Sequence, residues 1–228
     1  MENIINEMII SSLKKITKFV IKKTLKYYYK LFYPKLRVLK RYSNYDDYVK
    51  KQKEKTLDQI RIKRWTGEEW HIKLQGFREL FKRNFDVVNA AKNCICLGAR
   101  TGQEVAILQE LGKDAIGIDL VEFPPLTIEG DIHNLSYPDS TFDFVFTNIF
   151  DHSLYPDKFI FEMERVCQPG GFILINLQLF SKGDDYSENI INDPKELTNL
   201  FKHSRLFYSR SIANTFDEMN WEVAMQKI

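Results

Sequence analysis

Cysteine and histidine are scarce in this sequence of 228 residues, with three cysteines and four histidines. Cys94 and Cys96 are one residue apart on a predicted strand, and the third cysteine is Cys167. This odd number and spacing match neither a disulfide framework nor the CxxC pattern of a zinc site, and they favour a reducing, cytoplasmic compartment. The histidines lack the spacing of metal ligands, so we predict no metal site.

Long apolar runs are also missing. The most hydrophobic N-terminal stretch is interrupted by Lys14, Lys18 and Lys22, so no segment reaches the roughly 18 apolar residues that span a membrane. The lysines follow the apolar residues of that stretch, which is the reverse of the order in a secretory signal peptide. We therefore expect neither a transmembrane helix nor a cleaved leader.

Positive charge is concentrated at one end of the chain. The first 45 residues hold 11 lysines and arginines against two glutamates, although the whole chain has a net charge of +2. Residues 1–33 combine apolar residues at helical spacing with a row of lysines on another face, which predicts an amphipathic helix. Two interpretations remain open: a peripheral membrane helix on an anionic surface, or a helix packed on its own domain.

Residues 43–91 are predicted to form a helical cap after the basic arm, residues 1–42. Asn44 is a candidate N-cap for a charged helix over residues 46–64, and Gly67 breaks that helix. A second helix carries an apolar stripe at three- and four-residue steps, which is more typical of a core-facing surface than of a ligand site. The stripe consists of Trp70, Leu74, Phe77, Phe81 and Phe85.

Short apolar runs alternate with helical stretches in residues 92–228. This pattern predicts an α/β domain with a Rossmann-like, doubly wound, mostly parallel sheet, preceded by an N-terminal helical extension. Predicted helices cover residues 103–111 and 158–166, and Asp193 with Pro194 opens another. Predicted strands cover residues 94–97, 115–119, 142–147, 172–177, 206–209 and 221–226.

A glycine-bearing turn, Leu-Gly-Ala-Arg-Thr-Gly at residues 97–102, lies directly between the first of these strands and a helix. Such a turn lets the backbone approach a ligand, although Gly98 and Gly102 could equally serve a tight turn. Asp119 ends the next strand, where a carboxylate can accept hydrogen bonds from both ribose hydroxyls of an adenosine. The turn and the spacing together favour the binding of a nucleoside.

Three further segments complete an ordered set: residues 130–135 (Gly-Asp-Ile-His-Asn-Leu), residues 137–145 (Tyr-Pro-Asp-Ser-Thr-Phe-Asp-Phe-Val) and residues 164–171, which end in Pro-Gly-Gly. In order and spacing, the set resembles the methyltransferase type 11 group of the class I S-adenosylmethionine-dependent superfamily, over residues 92–178. The resemblance implies the class I fold for residues 92–228, S-adenosylmethionine as the cofactor and methyl transfer as the activity. A nicotinamide-dependent reductase fits less well, because the third glycine of its fingerprint is missing.

The resemblance also implies a role for each matching position. Gly98 and Gly102 would line the methionine part of the cofactor, Asp119 would bind the ribose, and Asp131 would bind the adenine amino group with the Ile132 amide near the ring. The segment after the Phe-Asp-Phe-Val strand would face the methyl group and the acceptor. The predicted cofactor-binding residues are Gly98, Ala99, Arg100, Gly102, Asp119, Leu120, Asp131 and Ile132, and the predicted catalytic residues are His152, Asp151 and Asn148.

His152 is the candidate base if the acceptor must lose a proton, because imidazole accepts protons near neutral pH. A packing or loop-capping histidine is the alternative interpretation. The expected acceptor is a small molecule, a sugar or a lipid. Nucleic acid is disfavoured, because the chain after the arm is net acidic and has no Asn-Pro-Pro-Tyr-like motif for a flipped base.

Two positions depart from the family pattern. Cys96 stands where an acidic residue is usual, and Arg100 stands where the middle of three alternating glycines is usual. Glu104, two residues past Gly102, is a candidate substitute for the missing negative charge. These departures motivate an alternative function, a non-catalytic adapter with a degenerate methyltransferase fold, tethered to a membrane or to an acidic partner.

Overall fold

Nine strands are present in the computed structural model, which describes residues 37–38, 42–213 and 218–228. Seven of them form one sheet, and the first and seventh lie outside it. In chain order they are β1 (Arg37–Val38), β2 (Asn93–Leu97), β3 (Asp114–Asp119), β4 (Thr127–Glu129), β5 (Phe142–Thr147), β6 (Cys167–Leu177), β7 (Asn189–Ile190), β8 (Ser204–Ser211) and β9 (Trp221–Lys227).

The strand order in the sheet is β4-β3-β2-β5-β6-β9-β8. Strands β2 to β6 run parallel, and β9 is antiparallel to both β6 and β8. The predicted Rossmann-like, mostly parallel sheet is therefore confirmed. Strand β4 was not predicted, because its three residues contain no apolar run. Strand β6 begins earlier than expected, at Cys167, because its first residue pairs with Phe142 across a register shift.

The order of the strands creates a crevice at the centre of the sheet. From β2 the chain proceeds outward to β3 and β4, and it then returns to the other side of β2 to form β5 and β6. Ligands of open α/β sheets bind at such a switch point, outside the carboxyl ends of the strands. The turn after β2 and the loop after β5 meet there, which makes this edge the place to look for a site.

The helices are α1 (Tyr45–Leu57), α2 (Gln59–Thr66), α3 (Glu68–Arg83), α4 (Phe85–Val88), α5 (Gln103–Glu110), α6 (Pro156–Val166) and α7 (Pro194–Thr198). The single helix predicted for residues 46–64 is wrong, because Asp58 leaves the helical conformation with ψ 115°. Its side chain then caps α2 by accepting a hydrogen bond from the Arg61 amide at 2.8 Å. The predicted cap at Asn44 is confirmed by a bond of 2.9 Å from the Asp47 amide.

The apolar stripe of the second predicted helix is only partly in the core. Phe77 and Phe81 on α3 are 2% and 1% exposed, and they pack against the central strands. Phe85 is 58% exposed, so its predicted place in the stripe is wrong. Asn84, with φ −105° and ψ 29°, separates α3 from α4 and ends the helical periodicity before Phe85. Val88 enters the core instead.

All three cysteines are free and buried. Burial raises the pKa of Cys94 and of Cys167 to about 12, and it raises the pKa of Cys96 well above its ordinary value. These thiols therefore stay protonated and serve packing. Among the described residues, no group of three or more His, Cys, Asp or Glu side chains is placed to hold a metal ion.

The amphipathic helix predicted for residues 1–33 of the basic arm lies outside the described residues. Within the described part of the chain, no helix has the length and apolar character needed to cross a bilayer. Residues Val38–Ile228 form one compact unit, which contains both the helices of residues 43–91 and the sheet.

Candidate functional site

The turn after β2 contains three alternating residues in the left-handed backbone region, with φ +76° at Gly98, +46° at Arg100 and +81° at Gly102. A Cβ atom on Gly98 would lie 2.2 Å from Cγ1 of Ile149, so only glycine lets this turn meet the loop after β5. A Cβ atom on Gly102 would lie 2.5 Å from Cβ of Leu126. The turn is therefore shaped by close packing on two sides.

Arg100 adopts this conformation without being glycine, which costs about 1–3 kcal/mol of backbone strain. Two contacts offset the strain. The Arg100 amide donates a hydrogen bond of 2.9 Å to Oδ2 of Asp119, and the guanidinium lies 4.1 Å from the ring centroid of Trp65. The arginine in the place of the middle glycine thus links the turn to helix α2.

Asp119, at the end of β3, has its carboxylate fixed by backbone groups. Oδ2 accepts from the Arg100 amide, and Oδ1 accepts from the Val121 amide at 3.2 Å. Burial raises the pKa of Asp119, although the charge of Arg100 and the backbone hydrogen bonds oppose that shift. Each carboxylate oxygen has a second lone pair, so this group can accept two more hydrogen bonds.

Asp131 is half-buried and already has several partners. It accepts a hydrogen bond of 2.8 Å from the His133 amide, and the Tyr45 hydroxyl lies 2.8 Å from each of its oxygens. Burial raises the pKa of Asp131, but the hydrogen bonds from His133 and Tyr45 outweigh it and hold the pKa below its ordinary value. The carboxylate is therefore charged, and a residue of helix α1 holds it.

Two neighbouring cavities lie at the carboxyl ends of β2, β3 and β5, with volumes of about 510 Å³ and about 60 Å³. Gly98, Arg100 and His152 line both of them. Among the predicted site residues, Ala99, Asn148 and Asp151 line the larger cavity, whereas Asp119, Leu120, Asp131 and Ile132 line the smaller one. Gly102 is buried under Leu126 and is not in the lining of either cavity.

His152 lies between the two cavities with both ring nitrogens in contact with polar atoms. Nδ1 lies 2.8 Å from the Tyr186 carbonyl, which can only accept, so the proton is assigned to Nδ1. Nε2 is then the accepting nitrogen, and Nζ of Lys55 lies 3.3 Å from it. Lys55 also forms an ion pair of 3.2 Å with Asp184. Burial, followed by the charge of Arg100, lowers the pKa of Lys55.

The sequence profile of the family described as "Methyltransferase domain" matches residues 95–175, the segment that contains the glycine turn, Asp119, Asp131 and His152. The chain therefore contains a methyltransferase domain, and the protein is an enzyme of the methyltransferase class. No curated protein sequence matches the chain.

Solved structures share the fold of this methyltransferase domain at low sequence identity. The 1,6-didemethyltoxoflavin N1-methyltransferase of Burkholderia thailandensis is 14% identical with a TM-score of 0.62, and the similarity covers 84% of this chain and 94% of that one. A protein of Pyrococcus horikoshii is 15% identical with a TM-score of 0.56, covering 71% and 92%. An S-adenosylmethionine-dependent methyltransferase of Methanosarcina mazei is 16% identical with a TM-score of 0.53, covering 64% and 97%.

Sequence reasoning did not find the residues that helices α1 and α2 bring to the methyltransferase site. Tyr45, Lys55 and Trp65 contact Asp131, His152 and Arg100 respectively. They precede the domain in the sequence and belong to no motif, so only the packing of the helices reveals them. Asp184 and Tyr186, in the loop after β6, were missed for the same reason.

Proposed function

We propose that this methyltransferase acts on a small molecule or a sugar with polar groups, with a lipid as the third acceptor class, and that the acceptor binds in the larger cavity beside His152. The observation that carries the proposal is the pair of cavities at the switch point, because their walls contain every predicted site residue except Gly102. A binding pocket of a few hundred Å³ is typical for a small-molecule ligand.

The residues of the site fit S-adenosylmethionine as the cofactor, at its ribose and methionine parts. Asp119 has a fixed carboxylate on the smaller cavity and would bind the ribose hydroxyls. Gly98, which has no room for a side chain, would let the turn approach the methionine part. Glu104 is 4% exposed and lies on the wall of the larger cavity. We assign to it the binding of the cofactor's ammonium group, because Cys96 stands where the usual acidic residue would do so. When bound, S-adenosylmethionine supplies a methyl group on a positively charged sulfur, which is a good leaving group.

The chemistry of the larger cavity supports a polar acceptor. Its wall contains carboxylates and cations together, so an acceptor with hydroxyl or amine groups would find partners of both signs. The described carboxylates are Glu104, Asp151, Asp184 and Glu218, and the described cations are Lys73, Arg100 and Lys182. The similar Burkholderia enzyme was solved with 1,6-didemethyltoxoflavin and S-adenosylhomocysteine bound together, which supports the small-molecule class.

We assign the role of base to Nε2 of His152, with Asn148 and Asp151 beside the acceptor. The hydrogen bond from Nδ1 to the Tyr186 carbonyl keeps Nε2 free of its own proton. Lys55 must turn from Nε2 toward Asp184, 3.2 Å from its ammonium, before Nε2 can receive a proton from the acceptor. Much of the rate enhancement would come from holding the acceptor against the methyl group.

Two measurements test the proposal. The first is calorimetry with S-adenosylhomocysteine, and the second is transfer of a labelled methyl group to pools of sugars, polar small molecules and lipids. We expect saturable binding by the wild type and incorporation of label into a polar acceptor. Absence of binding at millimolar S-adenosylhomocysteine would refute the proposed site. It would favour the adapter alternative, which Cys96 and Arg100 motivate because both depart from the family pattern. Incorporation of the label into lipid alone would exclude sugars and polar small molecules and leave lipid, the third class, as the acceptor.

Substituting His152 tests its role as the base. His152→Ala should lower turnover of the labelled acceptor by about 10²- to 10⁴-fold, the usual contribution of general base catalysis, and leave affinity for S-adenosylhomocysteine nearly unchanged. His71→Ala is the matched control, because His71 is exposed on helix α3. Turnover by His152→Ala equal to that of the control would show that His152 is structural.

A further inference from the structure

We propose that helix α1 is a gate over the adenosine side of the cofactor site, and that Tyr45 is the latch that holds Asp131 until the cofactor displaces it. The proposal rests on the proposed function and on the role that the family resemblance implies for Asp131, the binding of the adenine amino group. It goes further by assigning to Tyr45 a contact that competes with the cofactor.

The latch is formed by a single hydroxyl. Tyr45 Oη lies 2.8 Å from both carboxylate oxygens of Asp131 and 2.7 Å from Nδ1 of His133. Its ring stacks on Tyr155 at 5.8 Å between centroids, with an interplanar angle of 13°. Burial and the neighbouring Asp131 raise the pKa of Tyr45, so the hydroxyl stays protonated and donates a hydrogen bond to Asp131. Because the Tyr45 hydroxyl faces both carboxylate oxygens at once, a ligand amino group that approaches Asp131 from that side must replace it.

The smaller cavity leaves little room between helix α1 and the carboxylates that face it. It encloses about 60 Å³, whereas pockets that bury a drug-sized ligand have roughly 300–1,000 Å³. One side of this cavity is formed by Asp119 and Asp131, and another by Tyr48, Gln52 and Lys55 of helix α1. Asp119 is fixed at the end of strand β3, so additional space for the adenosine would come from movement of α1.

Helix α1 is held by polar contacts rather than by a large apolar surface. Tyr48 is its one buried residue among the 13 of the helix. The Tyr48 hydroxyl donates to the His152 carbonyl at 3.0 Å, and the Gln52 amide donates to the Tyr186 carbonyl at 2.9 Å. An element with few buried apolar side chains opens at a low free energy, whereas α3 buries Phe77, Leu80 and Phe81 and stays in place.

Among the polar contacts of helix α1, the Tyr45 hydroxyl is the one whose partner is a carboxylate proposed to bind the cofactor. The free energy of the Tyr45 hydrogen bond is lost when the cofactor binds, so the latch lowers the apparent affinity. Removing the hydroxyl while keeping the ring should therefore strengthen binding. The net value of one hydrogen bond corresponds to roughly 3- to 10-fold in the dissociation constant.

The test compares Tyr45→Phe with wild type and with Tyr137→Phe as the matched control. Tyr137 packs its ring on Phe142 and is not in the lining of either cavity. Titration calorimetry with S-adenosylhomocysteine should give a dissociation constant roughly 3- to 10-fold lower for Tyr45→Phe and an unchanged one for Tyr137→Phe. Hydrogen–deuterium exchange without ligand should be faster over residues 45–57 in Tyr45→Phe alone.

Equal or weaker binding by Tyr45→Phe, with binding by the wild type intact, overturns the latch and leaves the proposed function standing. Unchanged exchange over residues 45–57 in that variant also overturns it. Absence of binding by the wild type refutes the proposed function itself, and the latch with it.

Discussion

Replacement of Asp119 by alanine is expected to weaken the binding of S-adenosylhomocysteine by roughly 10- to 100-fold. The variant removes a charged acceptor from two ribose hydroxyls, and we expect a total loss of about 1.5–3 kcal/mol of binding free energy. The side chain is suited to this role because the Arg100 and Val121 amides fix its orientation. The smaller cavity, which Asp119 lines, is the place where the ribose would bind.

Two further variants separate the charge of Asp119 from its structural bonds. Asp114→Ala is the matched control, because Asp114 begins the same strand and is exposed. Asp119→Asn keeps an acceptor for one backbone amide but removes the charge. Burial raises the pKa of Asp119, so the wild-type affinity should start to fall at a higher pH than for an ordinary aspartate when the solution is acidified. The asparagine variant should lose this pH dependence.

The same dissociation constant of S-adenosylhomocysteine for Asp119→Ala and Asp114→Ala would show that Asp119 does not bind the cofactor. Thermal unfolding of each variant shows whether a loss of binding reflects a loss of the fold, because Asp119→Ala leaves the Arg100 and Val121 amides without their acceptor.

Replacement of Phe81 by alanine is expected to lower the free energy of unfolding by about 3–5 kcal/mol. Phe81 is 1% exposed, and its ring centroid lies 5.4 Å from that of Phe146 and 6.2 Å from that of Phe144 on the central strand β5. Its removal leaves a cavity between helix α3 and the sheet. Phe85→Ala, four residues later, should cost less than about 1 kcal/mol, because Phe85 is 58% exposed.

Urea unfolding of the two variants, without ligand, measures this difference. The sequence alone predicts similar losses, since both phenylalanines lie on the same helical stripe. Similar losses for Phe81→Ala and Phe85→Ala would therefore contradict the end of α3 at Arg83 and the turn at Asn84. A large loss for Phe81→Ala alone would agree with the structure.

The order of the elements and the position of the site along the chain were predictable from local signals. The turn at residues 97–102 follows an apolar strand, and Asp119 ends the next one, so both had to lie at the carboxyl edge of a parallel sheet. Strand β4 and the break at Asp58 were not predictable in the same way. Three residues are too few for a period to be visible, and a capping aspartate inside a charged helix resembles any solvated residue.

What the sequence by itself determined is the fold class, the switch-point edge and the family of the catalytic domain, because these depend on periodicity and turn chemistry among residues close along the chain. Only the tertiary structure decided which side chains of the preceding helices reach the site. Tyr45 and Asp131 are 86 residues apart, and Lys55 and His152 are 97 apart. The pairing of such distant residues depends on how α1 and α2 pack over the strand ends, and no local pattern encodes that packing.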